Sequence, residues 1–183
     1  MTLHIVGLAG SLSRPSKTRA LVDLVTARGA AALGASAATY DLTDLQPELG
    51  TAFNVGGLGG AAGKIVASIL SADALVVGSP VYKGSYTGLF KHLFDLIDPA
   101  ALAGKPVLLT ATGGGDKHAL VIEHQLRPLF GFFEAATLPT GIYASGADFT
   151  DCLPTSPQLL ARIERAVSQF SPWAQRTPAS TAA

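Results

Sequence analysis

The chain has a single cysteine, Cys152. No internal disulfide can form, and a secreted, disulfide-stapled domain is not expected. Charge is also scarce: 14% of residues are charged, and 13 basic side chains meet 13 acidic ones. Without a basic excess or a Lys/Arg run, the chain lacks the electrostatic footprint of a nucleic-acid or anionic-membrane binder. No apolar run is long enough to span a bilayer. The N-terminus, Met1-Thr2-Leu3-His4-Ile5-Val6, lacks the basic-then-apolar layout of a secretory signal. A cytoplasmic location is therefore expected, with no membrane and no nucleic acid as partner. The four histidines show no metal-motif spacing, so no metal is expected, and no Gly-x-Ser-x-Gly elbow occurs.

What the chain does have is apolar residues, 48% of its 183 positions. That is enough to bury a full core in one domain, expected over residues 1–173. Residues 174–183 read as a flexible tail. So little charge beside so much apolar surface also points to an oligomer.

Short apolar runs alternate with helical patterns, the order of a parallel sheet with helices on both faces. Leu3–Leu8 reads as the first strand, and a helix carrying Leu21, Leu24, Val25 and Leu33 follows. Ala37–Tyr40 is a weaker second strand. Gly50–Gly63, with six glycines, reads as a mobile loop, followed by a short helix around Ile65–Leu70. Ala72–Gly78 is a continuous apolar strand of the kind covered on both faces. Thr87 reads as the cap of a helix carrying Leu89, Phe90, Leu93, Phe94 and Ile97. Pro106–Thr112 is the fourth strand, followed by a glycine triplet and a helix through Phe133. Ala136–Tyr143 is the fifth, and its Pro139 suits an edge. A last helix spans about Ser156–Phe170.

This alternation brings the loops after strands one, three and four to one sheet edge, where open α/β sheets bind ligands. The first loop, Gly10–Thr18, offers Ser11, Ser13, Ser16 and Thr18 at a helix N-terminus. It reads either as an anion site or as a cap with a Ser-rich turn. A dinucleotide fingerprint and a P-loop both fail, because Ser11-Leu12 follows Gly10 and Ile65 follows Gly63-Lys64. The second loop, Ser79–Gly88, carries Pro80, Val81, Tyr82, Lys83 and Tyr86. Its tyrosines could wall a planar ring, and Lys83 either stabilises negative charge there or is simply solvated. The third loop, Thr112-Gly113-Gly114-Gly115, lets backbone N–H groups approach a ligand closely.

Together these loops resemble the NAD(P)H-dependent FMN reductase family of flavodoxin-like proteins. Within it, they resemble the branch supplying reduced flavin to alkanesulfonate- and methanesulfonate-type two-component monooxygenases. The resemblance covers about residues 3–170 and rests on four stretches: Ala9-Gly10-Ser11 with Pro15-Ser16; Pro80-Val81-Tyr82-Lys83 with Tyr86, Gly88 and Lys91; Ala111-Thr112-Gly113-Gly114; and His118 with Leu126-Arg127-Pro128. It implies a three-layer α/β/α sandwich whose five-stranded parallel sheet has the order 2-1-3-4-5. It implies FMN and NAD(P)H as cofactors. Ser11, Ser13, Ser16 and Thr18 would hold the FMN phosphate, and Pro80–Lys83 with Thr112–Gly114 would cradle the ring. No catalytic residue is obligatory, although Lys83 and His124 are candidate modulators. The resemblance further implies a π-bulge at His124, close to the flavin and at a tetramer interface. A homodimer or homotetramer with Leu126, Phe130 and Phe133 buried between subunits would fit it, as would a monooxygenase partner receiving reduced FMN. Two other classes stay open: a flavodoxin-type electron carrier, and a quinone or azo reductase that keeps its FMN.

Overall fold

The computed structural model describes residues 2–174. The first strand, β1 (His4–Ala9), leads into helix α1 (Lys17–Leu33). Ser16 starts this helix in an extended conformation, its hydroxyl accepting from the Arg19 amide, which satisfies an orphan donor of the first turn. Gly34 ends it at φ 61°, a left-handed position that glycine adopts without strain. Next come β2 (Ser36–Asp41), the short α2 (Glu48–Thr51), α3 (Gly60–Ser71), β3 (Ala74–Pro80), α4 (Gly88–Asp95) and β4 (Pro106–Gly113). A π-helical turn, Ile122–Leu126, runs into α5 (Arg127–Phe132). The chain continues through β5 (Ala136–Thr137), β6 (Ile142–Ser145), the hairpin of β7 (Phe149–Thr150) and β8 (Leu153–Pro154), α6 (Pro157–Ser168) and α7 (Ser171–Ala174).

The main sheet is parallel throughout, in the order β2-β1-β3-β4-β5, with β6 continuing β5 along the far side of β4. This is the 2-1-3-4-5 order expected of a flavodoxin-like sandwich. One core, with Leu8, Leu75, Phe90, Phe94 and Phe130, lies under α3, α4 and α5. The other, with Ile5, Val25, Leu108, Ile163 and Phe170, lies under α1 and α6. Strands β3 and β4 are buried almost end to end, which is why they appear in the sequence as unbroken apolar runs.

Four expectations need correction. Gly50–Gly63 is not one open loop: α2 ends within it, a single helical turn covers Val55–Gly57, and α3 already begins at Gly60. Leu49, Ala52 and Leu58 anchor this segment in the core, so apolar burial outweighs glycine content. The fifth strand is broken. Between the pairs Val107↔Thr137 and Thr110↔Ile142, β4 advances from 107 to 110 while the edge advances from 137 to 142, so two extra residues bulge out around Pro139. Leu126, Phe130 and Phe133 are 0%, 0% and 3% exposed within the subunit itself, so they pack the core of the subunit, and of the three only Phe133 reaches a surface groove. Lastly, Ala174 closes α7 although residues 174–183 were read as tail; the rest of that tail lies outside the described residues.

Among the described residues no helix is long and apolar enough to cross a membrane, and no group of three or more His, Cys, Asp or Glu side chains could hold a metal ion.

Candidate functional site

Because β1, β3 and β4 run parallel, their C-terminal ends bring the three loops together at one edge. The chain leaves β1 through Gly10, whose amide donates to Gly78 O at 2.6 Å. Thr87 stands at the start of α4, yet its hydroxyl caps nothing there. It donates to Gly10 O at 2.9 Å, while its amide donates to Ser79 Oγ at 3.1 Å. The expected cap is thus a cross-brace between the first and second loops. Val81 N donates to Thr112 O at 2.8 Å and fixes the second loop to the third.

The loops enclose a cleft of about 430 Å³, lined by Ser11, Ser13, Ser16, Thr18, Pro80, Val81, Tyr82, Thr112, Gly113 and Gly114. Such a volume suits a small-molecule ligand. Every predicted ligand-holding residue except Lys83 lines it. Lys83 sits exposed at the tip of a tight turn, at φ 53°, with Tyr82 N and Ser85 N each bonded to the other residue's carbonyl. Tyr82 is 55% exposed at the cleft mouth, whereas Tyr86 turns away to pack on Phe90, ring centroids 5.9 Å apart. Of the two tyrosines, only Tyr82 walls the cleft.

The hydroxyls differ in what they have free. Ser11 Oγ is buried without a hydrogen-bond partner, a state that costs about 1–3 kcal/mol unless a ligand relieves it. Ser16 Oγ accepts from Arg19 N at 3.2 Å and keeps its own proton to donate. Thr18 and Thr112 bond each other at 2.6 Å in the interior, joining α1 to the end of β4. The first turn of α1 carries no acidic residue, so its dipole stays available to an anion. FMN fits this donor set: an unsatisfied buried hydroxyl, further hydroxyls and a helix N-terminus for the phosphate, and an aromatic wall facing a glycine turn for the ring.

Gly113 is required for a reason other than close approach of a ligand. A Cβ there would stand 2.1 Å from the Tyr143 hydroxyl, while Gly114 and Gly115 face open space. The Tyr143 hydroxyl donates to Gly115 O and so props the glycine turn from behind. Burial, with Asp116 and Asp148 nearby, raises the Tyr143 pKa and keeps that donor protonated.

Several features of the site were not foreseen from sequence. Gly146, Phe149 and Cys152 bring the β7–β8 hairpin to the cleft; its tip carries positive φ at Asp151 and Cys152, with no glycine to signal a turn. Arg14 and Arg19 form a network with Asp23, Asp41 and Asp44. Asp41 also caps the turn after β2. Burial pushes the Asp41 carboxyl up, but hydrogen bonds from Arg14 and Thr43 and the Arg14 charge outweigh it and hold the pKa at about 2. His124 does lie in a π-helical turn. Its side chain borders a groove between α4 and α5 and a smaller cavity beside Lys117 and His118, not the cleft. The π turn reaches the cleft indirectly: Ser85 Oγ donates to Gln125 Oε1 at 3.1 Å, tethering the Tyr82 turn.

The chain is 47% identical to an NADH-dependent FMN reductase, SfnF, of Pseudomonas fluorescens, over 93% of this chain and 91% of that one. It is 46% identical to an FMN reductase (NADPH) of Pseudomonas aeruginosa, over 92% and 90%. The solved structure of an oxidoreductase from Corynebacterium diphtheriae superposes with a TM-score of 0.81 at 32% identity, covering 94% of this chain and 97% of that one. The family model described as NADPH-dependent FMN reductase matches residues 3–150, and the chain belongs to that family.

Proposed function

We propose that the cleft binds FMN with its phosphate at the start of α1 and its ring between the Tyr82 and Gly113 turns, and that the reduced flavin leaves for a flavin-dependent monooxygenase. The protein is an NAD(P)H:FMN oxidoreductase. Bound FMN would supply the redox chemistry, as the acceptor of a hydride from the nicotinamide. The chain's own residues bind and orient. Ser11 and Ser16 hold the phosphate with donor protons, and Ser13 lies beside them in the same cleft. Thr18, committed to Thr112, sets the spacing between phosphate and ring subsites. Pro80, Val81 and Tyr82 form one wall; Thr112, Gly113 and Gly114 present backbone donors from the other. No general base is needed for hydride transfer, and among the described residues no His, Asp or Glu lines the cleft. Lys83 and His124 act from outside it, Lys83 at the tip of the Tyr82 turn and His124 on the π turn that tethers it.

Residues 1–173 serve as one flavin-binding unit in a cytoplasmic homodimer or homotetramer, assembled through the α4–α5 face. The two Pseudomonas relatives differ in nucleotide at nearly equal identity, so both NADH and NADPH are to be assayed. The observation that carries the reading is the buried, partnerless hydroxyl of Ser11 in a cleft walled by Tyr82 and Gly113. The test is NADH and NADPH oxidation with FMN, FAD and riboflavin, followed by stopped-flow detection of where the reduced flavin goes. Fastest turnover is expected with FMN, with reduced FMN appearing free in each cycle. Reduced flavin retained through many turnovers would instead identify an enzyme that keeps its FMN.

A further inference from the structure

Three cations stand at the start of α1, and two of them carry their own counter-charge. Arg14 donates to Asp41 at 2.8 and 2.9 Å and to Asp44 at 2.6 Å. Arg19 pairs with Asp23, Asp41 and Asp44 and also donates to Thr39 O at 2.8 Å. Two guanidinium groups against three carboxylates offer an incoming dianion no net attraction.

Lys17 differs. Among the described residues it has no carboxylate partner; its ammonium lies 3.4 Å from Gly146 O and 5.5 Å from the centre of the Phe149 ring. These contacts park the charge without cancelling it. Of the two acids in that segment, Asp148 accepts from Ser145 N and Ser145 Oγ instead, and Asp151 sits exposed at the hairpin tip, in no ion pair with Lys17. Lys17 lines the same cleft as Ser11, Ser13 and Ser16.

Its place in the helix adds a second argument. Lys17 is the first residue of α1, and no acid accompanies it in that turn. A cation there opposes the helix dipole and costs the free protein stability. A bound anion turns that cost into a gain, and the partnerless Ser11 hydroxyl marks where an acceptor is missing.

We propose that Lys17 supplies the net positive charge that neutralises the FMN phosphate, and so decides for the phosphorylated flavin over riboflavin. The inference rests on the flavin reading of the cleft and adds to it the residue that sets flavin specificity. A lone ammonium is a point charge rather than a bidentate clamp. Such a grip weakens with salt and suits a flavin that must leave.

The test is titration of the flavin-free protein with FMN and with riboflavin, for wild type, Lys17→Met, Lys17→Arg and Arg14→Met, at low and high salt. Lys17→Met is expected to weaken FMN by about tenfold to a hundredfold, the range of one hydrogen bond to a charged group, and to leave riboflavin unchanged. Lys17→Arg restores FMN, and the salt dependence of FMN binding flattens in Lys17→Met. Unchanged FMN affinity in Lys17→Met, or equal losses of both flavins, overturns the proposal. So does an Arg14→Met variant that loses the preference for FMN while Lys17→Met keeps it. A wild-type protein that binds neither flavin would instead overturn the reading of the cleft itself.

Discussion

Ser11 and Ser16 look interchangeable in the sequence, two hydroxyls in one loop before a helix. In the fold they hold opposite positions. Ser16 already stabilises the protein by capping α1, while Ser11 is a buried donor that nothing satisfies. Ser16→Ala should therefore lower thermal stability by about 1 kcal/mol and weaken FMN as well. Ser11→Ala should leave stability unchanged or raise it, because it removes an unpaired polar group, yet weaken FMN about tenfold or more. Thermal unfolding of the flavin-free variants beside flavin titration separates the two. A loss of stability in Ser11→Ala would show that its hydroxyl has a structural partner. This division of labour is not legible from residue types. Composition and position announce that hydroxyls gather at a helix start; which of them is spent depends on partners far along the chain, as Thr18 shows by meeting Thr112 from 94 positions away. Arg14 is the same case, since only the fold brings Asp41 and Asp44 to it.

The strands were legible where burial is uniform. β3 and β4 lie in the middle of the sheet and are apolar throughout; β2, on an edge, is exposed at its start and reads weakly. The interruption of the last strand was not legible, because what stabilises it comes from elsewhere. Pro139 marks an edge, but Arg127 makes the bulge possible: its guanidinium donates to Thr137 Oγ1, Leu138 O and Pro139 O. Arg162 and Gln169 satisfy Gly141 O and Thr140 N. Arg127 also stands at the junction of the π turn and α5. There Pro128 takes away one helical N–H and crowds the carbonyl of His124, and the widened turn gives it room. Arg127→Met should therefore cost about 2–4 kcal/mol, since three acceptors lose a charged donor together. Urea denaturation of the flavin-free protein measures it. A cost below about 0.5 kcal/mol, the range of ordinary surface substitutions, would mean that water satisfies the bulge and Arg127 only decorates it.

Both faces of the sheet are covered by helices, yet the outer side of α4 and α5 is left unfinished. Its groove of about 630 Å³ is larger than the flavin cleft and is lined by Tyr86, Phe94, Ile97, Pro128, Leu129 and Phe132 among others. Its polar lining is Tyr86, Lys91, Asp95, His124 and Gln125, with no serine or threonine among the described residues that line it, so volume alone does not make it the flavin site. Phe132 is 70% exposed, and unlike an isolated surface aromatic it adjoins Pro128 and Leu129 in one apolar patch, the kind that marks an interaction face. The low charge of the chain points to an oligomer, but the helical repeat does not show which side of α5 would serve: Leu126 and Phe130 are buried against the sheet, whereas Pro128, Leu129 and Phe132 line the outer groove, with Phe133 at its floor. A second copy of the chain is the occupant we expect, because a two-fold pair would set this groove against itself and cover the same apolar face on both copies. Phe132→Asp should then lower the solution mass toward that of one chain, measured by light scattering over a dilution series, while the circular dichroism stays that of the wild type. His124 borders this groove, and Gln125 of the same π turn holds the Tyr82 turn through Ser85. Loss of assembly should therefore also weaken flavin binding, without any change to a residue lining the cleft. A wild-type protein that is a single chain at every concentration, or a variant of unchanged mass, would leave Phe132 without this role and the link between assembly and flavin without support.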